Sequence, residues 1–351
     1  MSAVAEAAGV ARSTVSMALR NDRSIPEATR ERIRRAAEKL GYRTNPLVAA
    51  LMTARSTGRP LQFKAALAYV VTHRPDESWR GNPVFMRFYQ GAKARANELG
   101  YRLEELATHS PGMTARRYME ILHARGIHGL IVAPLPHGET DLGLDVSRFA
   151  VVGIGLSVIT PTIERISNDH FQSMMLAMQK CHQLGYRRIG FVASQETSQR
   201  LGNRWLAAYG FGLQSLPGLK KIQPLLPPTN EDVQSALPEW CGTQKPEVII
   251  FGVFNTHSPY RVQRGIGVVT LAVDEAESER TGIFQNDLLL GATALDHLVA
   301  RLNRNQYGPD SLQHIHLMEG RWVAGHSATG PDLTPGIKRV TSRSKTSSVC
   351  T

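Results

Sequence analysis

The sequence predicts two unlike units, a small all-α headpiece and an α/β core built from two parallel-sheet subdomains. Three observations carry that expectation. The first 40 residues read as short helices, with no strand pattern among them. Residues 54–64, ARSTGRPLQFK, form a basic Gly/Pro linker. Beyond it, apolar β-runs alternate with amphipathic helical stretches, and the series then repeats. At 351 residues the chain is too long for one compact domain of ordinary size, so two or three units are expected.

The headpiece opens on two short helices in AVAEAAGVARSTVSMALRN, residues 3–21. Val4, Ala5 and Ala8 share one face of the first helix, and the small alanines allow close approach of a second. Gly9 breaks the helix where a turn needs φ > 0, and Val10 can plug the space between the helices. Ser13 or Thr14 can begin the second helix, whose Val15, Ala18 and Leu19 point inward. Its outward face carries Arg12, Ser13, Ser16, Met17 and Arg20. Small residues inside, glycine in the turn and a polar, basic outer face suit a helix-turn-helix that presents side chains to the major groove. The plain alternative is an alanine-rich hairpin.

A third helix follows, with Ser24 as a candidate N-cap, Pro26 at its start and acidic Glu27 in its first turn. It runs to Gly41, with Ile33, Ala36, Ala37 and Leu40 as its buried stripe. Arg30, Arg32, Arg34, Arg35 and Lys39 crowd the remaining surface, either as a solvated face or as phosphate contacts. Asn45 and Pro46 can then start a short helix over 46–53. So short and apolar a helix does not repay its own nucleation, so it needs a copy of itself, DNA, or both.

AEAAGVARSTVSMALRN followed by IPEATRERIRRAAEKLGYRTNPLVAAL resembles the N-terminal region of the LacI/GalR transcriptional regulators. The match holds Gly9, Thr14-Val15-Ser16, Thr29-Arg30, Gly41-Tyr42 and Asn45 at unbroken spacing. The resemblance implies a three-helix DNA-binding headpiece over 1–44, a hinge helix and linker over 45–64, and a core shaped like a periplasmic sugar-binding protein over 65–329. It implies that Arg12, Ser13, Thr14, Ser16, Met17, Arg20 and Asn21 serve the reading helix. It implies that Asn45, Val48 and Leu51 serve a hinge paired in the minor groove, with Leu51 as the wedge that kinks a base step. Two departures bear on readout. The first helix begins about two residues short of the usual, which leaves its cap weak unless Ser2 supplies it or the true start lies upstream. Met17 replaces a common arginine, so one bidentate guanine reader is lost and contact with a thymine methyl is the substitute.

The core begins with AALAYVVTH, residues 65–73, a continuous apolar run, and a helix over 82–101 with Phe85, Phe88, Tyr89 and Ala92 inward. YRLEELAT, HGLIVAPL, FAVVGIG and RISND continue as strands around the helix TARRYMEILHARGI. RRIGFVAS, KKIQPLLP, EVIIFGVF, GIGVVTLAVD and GIFQND belong to the second half, with helices at FQSMMLAMQKCHQLGY, NRWLAAYGFGLQSL and near 231–240. A long helix LLLGATALDHLVARLNRN and a final strand HIHLMEG close it. Alternation with short turns argues for parallel sheets covered on both faces. Two such halves with a chain crossing between them make a cleft, and open α/β sheets take ligands at the carboxyl ends of their strands. The order of these segments extends the LacI/GalR resemblance to about residues 3–327.

Strand ends and family position together give the candidate effector residues Asn82, Phe85, Asp169, Arg204, Asn255, Asp274 and Gln285. Asp, Asn and Arg grip hydroxyls in pairs, and Phe85 or Trp205 can cover a sugar face. Between Asn255 and Val268 only THSPYRVQRGIG stands where the family has a full helix and a longer connection. One cleft wall is therefore altered, and the effector is either a sugar, a different small molecule, or absent.

The formal charge is +11, and residues 1–60 hold 11 Lys and Arg against 5 Asp and Glu, so about half of the excess sits in the first sixth of the chain. Such clustering points to a polyanionic partner. The composition, 42% hydrophobic and 20% charged, is that of a globular protein. No apolar run nears the ~20 residues a membrane helix needs, and no apolar leader stands at the N-terminus. Cys181, Cys241 and Cys350 are widely spaced without CxxC, against a disulfide framework or structural zinc. Gly153-Ile-Gly155 lacks a third glycine at dinucleotide spacing, and GxxxxGK[ST], GxSxG and HExxH are missing. His314-x-His316 on a strand reads as exposed polar positions. The tail from Gly330 is expected to be disordered, without the leucine heptads of a tetramerisation helix. These readings converge on a cytoplasmic, homodimeric regulator, a repressor, that binds double-stranded operator DNA and answers to a small-molecule effector, with no cofactor, metal, membrane partner or catalysis. A solute-binding protein without a regulatory role is the runner-up, and an enzyme on the same scaffold is third.

Overall fold

The computed structural model describes residues 2–19, 24–40, 65–74, 79–110, 112–252, 261–273 and 280–331. The expectations for Arg20, Asn21, the 45–53 hinge with Asn45, Val48 and Leu51, Asn255, Asp274 and the tail beyond 331 lie outside these residues.

The headpiece holds α1 (Ser2–Ala7), α2 (Arg12–Ala18) and α3 (Glu27–Lys39). Gly9 sits at φ 59°. Its N–H donates to Glu6 O at 3.2 Å, and Val10 N–H donates to Ala5 O at 3.0 Å. That pair of bonds is the Schellman ending, which satisfies two orphan carbonyls of α1 and folds Val10 back onto the helix. Val4, Ala5, Ala8, Val15, Ala18, Ile25, Ile33 and Ala37 form the buried cluster, with Val10 and Leu19 packed at its edge. The second helix begins at Arg12, ahead of Ser13 or Thr14. Extended Ala11 stands at its N-cap and provides no side-chain bond. Pro26 precedes α3 and its carbonyl accepts from Thr29 and Arg30 at 3.0 Å. Leu40, expected in the buried stripe, is 48% exposed. It lies one residue past the end of α3, where the helical period no longer directs it inward.

The first half of the core is a six-stranded sheet in the order β10-β5-β4-β3-β1-β2, parallel throughout. Its strands are β1 (Ala66–Val71), β2 (Arg102–Ala107), β3 (Gly129–Val132), β4 (Ala150–Ile154), β5 (Glu164–Asn168) and β10 (Ile315–Met318). The period of two in β1 divides its contacts. Leu67, Tyr69 and Val71 face α4 (Pro83–Glu98) and α10 (Asp287–Asn303). Ala68 and Val70 face α5 (Ala115–Ala124). The second half is a five-stranded sheet, β11-β9-β8-β7-β6, built from β6 (Ile189–Val192), β7 (Val248–Phe251), β8 (Gly267–Thr270), β9 (Thr281–Phe284) and β11 (Arg321–Val323). On one face lie α6 (His170–Gln183) and α8 (Arg204–Ser215), and on the other α9 (Asp232–Gln244). Cys181 and Cys241 are buried free thiols in these two layers.

KKIQPLLP, expected as a strand, makes only a single bridge from Leu225 to Val192. Pro224, Pro227 and Pro228 remove the N–H donors that a ladder requires. Two short elements were not expected, α7 (Gln195–Arg200) and the antiparallel β11. The chain passes between the halves three times, after β5, after β9 and between β10 and β11. β5 and β9, which lead into the first two passages, both end at the cleft, with Ser167, Asn168 and Gln285 in its lining.

Tyr69 is fully buried between Trp79 and Tyr89, and its hydroxyl has no hydrogen-bond partner among the described residues. Burial holds its pKa well above the ordinary phenol value. An unpaired buried hydroxyl costs about 1–3 kcal/mol. Tyr69→Phe is therefore expected to raise the melting temperature by several degrees at ~2–4 °C per kcal/mol. A fall in calorimetry would show that the hydroxyl is bonded in solution.

Candidate DNA-reading face and effector cleft

On α2, Arg12 and Ser13 are exposed, Thr14 is half-buried, and Val15 and Ala18 close the helix onto the core. Met17, expected on the outward face, is half-buried against the headpiece cluster. Packed there, it offers less of its side chain to a base than a fully exposed residue would. Ser16 lies within α2. On α3, Arg30 pairs with Glu27, and Arg34 and Arg35 reach Glu31 at 3.4 and 3.3 Å. Exposed pairs such as those of Arg34 and Arg35 are worth well under ~1 kcal/mol, so these two guanidiniums can exchange their carboxylate for phosphates.

The cleft of the core has a volume of about 530 Å³, counted out to its solvent mouth. Val84, Phe85 and Phe88 of α4 and Leu290 of α10 supply its apolar wall. Ser167 and Asn168 end β5, His170 opens α6, Arg200 ends α7, and Gln285 follows β9. Phe85 stacks on Phe88 with centroids 6.3 Å apart, and the Arg200 guanidinium stands 5.6 Å from the Phe85 centroid. His170 meets Trp205 edge-on at 5.2 Å. Asp287 is held by Arg87 at 2.9 and 3.0 Å, and the Ser157 hydroxyl accepts from Leu135 N–H at 2.8 Å. Gln285 Nε2 donates to Leu271 O at 2.5 Å, which fixes its amide plane.

Three buried atoms in this cleft have no hydrogen-bond partner among the described residues: Asn168 Oδ1, His170 Nδ1 and Gln285 Oε1. All three residues are nine-tenths or more buried. Unpaired acceptors and donors gathered at one place are costly unless something else binds them. Burial, helped by the positive charge of Arg204, pushes the His170 pKa down to about 3. The imidazole is therefore neutral and offers one donor and one acceptor. Burial likewise lowers the Arg200 pKa, with Glu196 opposing the shift.

That histidine gives a pH dependence. The unfolded chain takes up a proton near 6.5, which folded His170 refuses until pH falls to about 3. Stability is then full above pH 6.5 and declines as pH falls from 6.5 toward 3, by at most about 1.4 kcal/mol per unit. His170→Phe, which keeps the edge contact with Trp205, is expected to flatten this decline in urea melts at pH 7 and 5. An equally steep decline in the variant would place the acid sensitivity elsewhere.

Of the seven residues expected in the effector site, Phe85 and Gln285 line the cleft. Asn82 does not. Its side-chain oxygen caps α4, accepting from Val84 and Phe85 N–H at 3.0 and 3.4 Å. Asp169 caps α6 by accepting from Gln172 N–H at 2.9 Å. Both stand at helix starts, where a short polar side chain turns back to the backbone. Arg204 is the first residue of α8 and acts on the cleft through its charge on His170 and Arg165. Sequence reading passed over Asn168, His170 and Arg200. The first two flank Asp169 in the same strand-end segment, so strand alternation from Ile166 to Asn168 was the usable signal. Arg200 carried none, because α7 was not separable from the helix after it.

An exposed reading helix in one unit and a ligand cleft between two α/β halves in the other define a DNA-binding regulator with an effector-binding core. The family model for bacterial regulatory proteins of the lacI family matches residues 1–45, and that for periplasmic binding proteins and the sugar binding domain of the LacI family matches residues 65–250. The chain belongs to the LacI family. The HTH-type transcriptional regulator PtxS of Pseudomonas putida is 26% identical over 302 residues, 85% of this chain and 79% of that protein. PtxS of Pseudomonas plecoglossicida is 27% identical over 63% of this chain, and the match spans only 61% of that relative's length. Among solved structures, a CelR–cellobiose complex superposes with TM-score 0.54 at 20% identity, over 93% of this chain and 98% of that one. The lac repressor dimer bound to operator and the anti-inducer ONPF gives 0.52 at 18%, with the same coverage. No helix among the described residues is long and apolar enough to cross a membrane.

Proposed function

We propose that this chain is a cytoplasmic, homodimeric repressor whose hold on operator DNA is set by a small polyhydroxylated effector. Arg12, Ser13, Thr14, Ser16, Met17, Arg20 and Asn21 serve the major groove, and Asn45, Val48 and Leu51 serve a hinge in the minor groove. The observation that carries the reading is the placement of three unpartnered polar atoms beside an apolar, aromatic wall, beside two of the chain's passages between the halves. A ligand with hydroxyls on its edge and an apolar face fits that lining. The lacI-family match and a neighbour solved with cellobiose support a sugar or a sugar-like molecule. Binding there draws the halves together, changes the spacing of the two linkers in a dimer, and so biases the hinge. The coupling requires different effector affinity in the two states, typically by 1–3 kcal/mol. Ser157 and Asp287 are committed to bonds within the fold, which favours binding over catalysis.

Selection of binding sites from random duplex DNA at physiological salt tests this. Enrichment of a palindrome with a flexible central pyrimidine–purine step is expected. Weak, salt-sensitive binding without enrichment would favour the solute-binding alternative. On the selected site, Arg12→Ala is expected to weaken binding roughly 5- to 150-fold, equivalent to ~1–3 kcal/mol. An equal loss on scrambled duplex, in gel shifts at one salt concentration, would reassign Arg12 to a phosphate.

A further inference from the structure

Away from the cleft, three side chains from three elements converge on one point. Glu164 opens β5, His316 lies on the edge strand β10, and His297 lies on α10. Glu164 Oε1 is 2.6 Å from His297 Nδ1 and 2.8 Å from His316 Nε2. One ligand atom from each residue lies within 4.8 Å of the others, and the two imidazole centroids are 4.3 Å apart. The cleft lies beyond the opposite end of β5, four residues on at Asn168, or roughly 13 Å along the strand.

We infer that Glu164, His297 and His316 form a binding site for one divalent transition-metal ion of the Zn²⁺ class. Two imidazoles and a carboxylate are the donor set that such ions favour. Tetrahedral metal bonds of ~2.0–2.2 Å place neighbouring ligand atoms about 3.3–3.6 Å apart, so the carboxylate oxygen must draw away from the two ring nitrogens by roughly half to one ångström. His297 is 29% and His316 47% exposed, so both can make that shift, and solvent reaches the remaining coordination positions. In the neutral imidazoles the proton moves to the other ring nitrogen, leaving Nδ1 of His297 and Nε2 of His316 as electron-pair donors.

The surrounding charge suits a cation. Arg301 touches Glu164 Oε2 at 3.3 Å, but its guanidinium is held by Asp310 at 3.0 and 2.9 Å and by Gly308 O. Two carboxylates against one guanidinium leave the cluster net negative with both imidazoles neutral. Arg301 also holds Glu164 from the side away from the histidines, much as an outer hydrogen bond orients a metal-bound carboxylate. The ion would tie β10, which among the described residues pairs only with β5, to the helix that packs beneath it. The alternating histidines at 314 and 316 gave no hint of this, because the two other donors lie far from them in sequence.

Full-length, tag-free protein treated with EDTA and dialysed is titrated with Co²⁺ and followed by visible absorption, then with Zn²⁺ as competitor. One Co²⁺ per chain, displaced by Zn²⁺, is expected, together with a rise in melting temperature. His316→Ala, at a half-exposed edge position that leaves the fold in place, is expected to lower affinity at least tenfold, and His297→Ala likewise. Glu164→Gln tests the carboxylate, with circular dichroism to check that the Arg301 network survives. No stoichiometric binding, or binding unchanged in both histidine variants, would overturn the site and leave a hydrogen-bonded His–Glu–His cluster.

Discussion

Alanine at Gly291 is expected to lower the melting temperature of the core by roughly 2–12 °C, from an overpacking cost of ~1–3 kcal/mol at ~2–4 °C per kcal/mol. A Cβ at Gly291 would stand 2.0 Å from Phe88 O and 3.0 Å from Ala92 N, and one at Gly91 would stand 1.9 Å from Leu288 O. Both contacts are with backbone, so no side chain can swing aside, and α4 and α10 must separate. These two helices also carry Phe85, Phe88, Asp287 and Leu290 to the cleft wall. Effector binding should therefore weaken along with stability. Gly210→Ala in α8 is the control. A Cβ there meets nothing within 4 Å, so the variant should gain up to about 1 kcal/mol from helix propensity. An unchanged melt for Gly291→Ala would mean that the helices are not in backbone contact.

Asn168→Leu is expected to stabilise the ligand-free protein while weakening effector binding about 5- to 150-fold. Asn168 is 6% exposed, and its side-chain oxygen has no partner among the described residues. Replacing a buried amide whose oxygen is unpaired by an apolar group of similar size removes a penalty of ~1–3 kcal/mol. The same magnitude is lost from the complex if an effector hydroxyl donates to that oxygen. Thermal shifts against a panel of hexoses and disaccharides, then calorimetric titration of the best ligand, separate the two effects. Loss of stability without ligand would show that Asn168 serves the fold. Undiminished affinity would show that the effector binds without it.

How far each feature could be read from the sequence follows from the range of the interactions behind it. The turn after α1 was legible because its requirements lie within six residues: a glycine at positive φ, an apolar residue after it, and small residues before it. β1 was legible as a doubly buried strand, because its apolar run and length speak for themselves. The KKIQPLLP strand failed on its prolines, which a closer reading of donors could have caught. Leu40 was misplaced because periodicity assigns faces only within a regular helix, and Leu40 lies just past the end of one.

The order of most elements and the inward face of most helices could be read from the residues alone, since these depend on neighbours a few positions apart. Strand ends also pointed to where the cleft lies. Which atoms meet there depends on how the two sheets pack against each other. Asn168, His170, Arg200 and Gln285 come together because three chain passages fix the two sheets against each other. Glu164 and His297, 133 residues apart, meet for the same reason. Which distant side chains converge depends on strand order and helix packing, and no local pattern of residues encodes either.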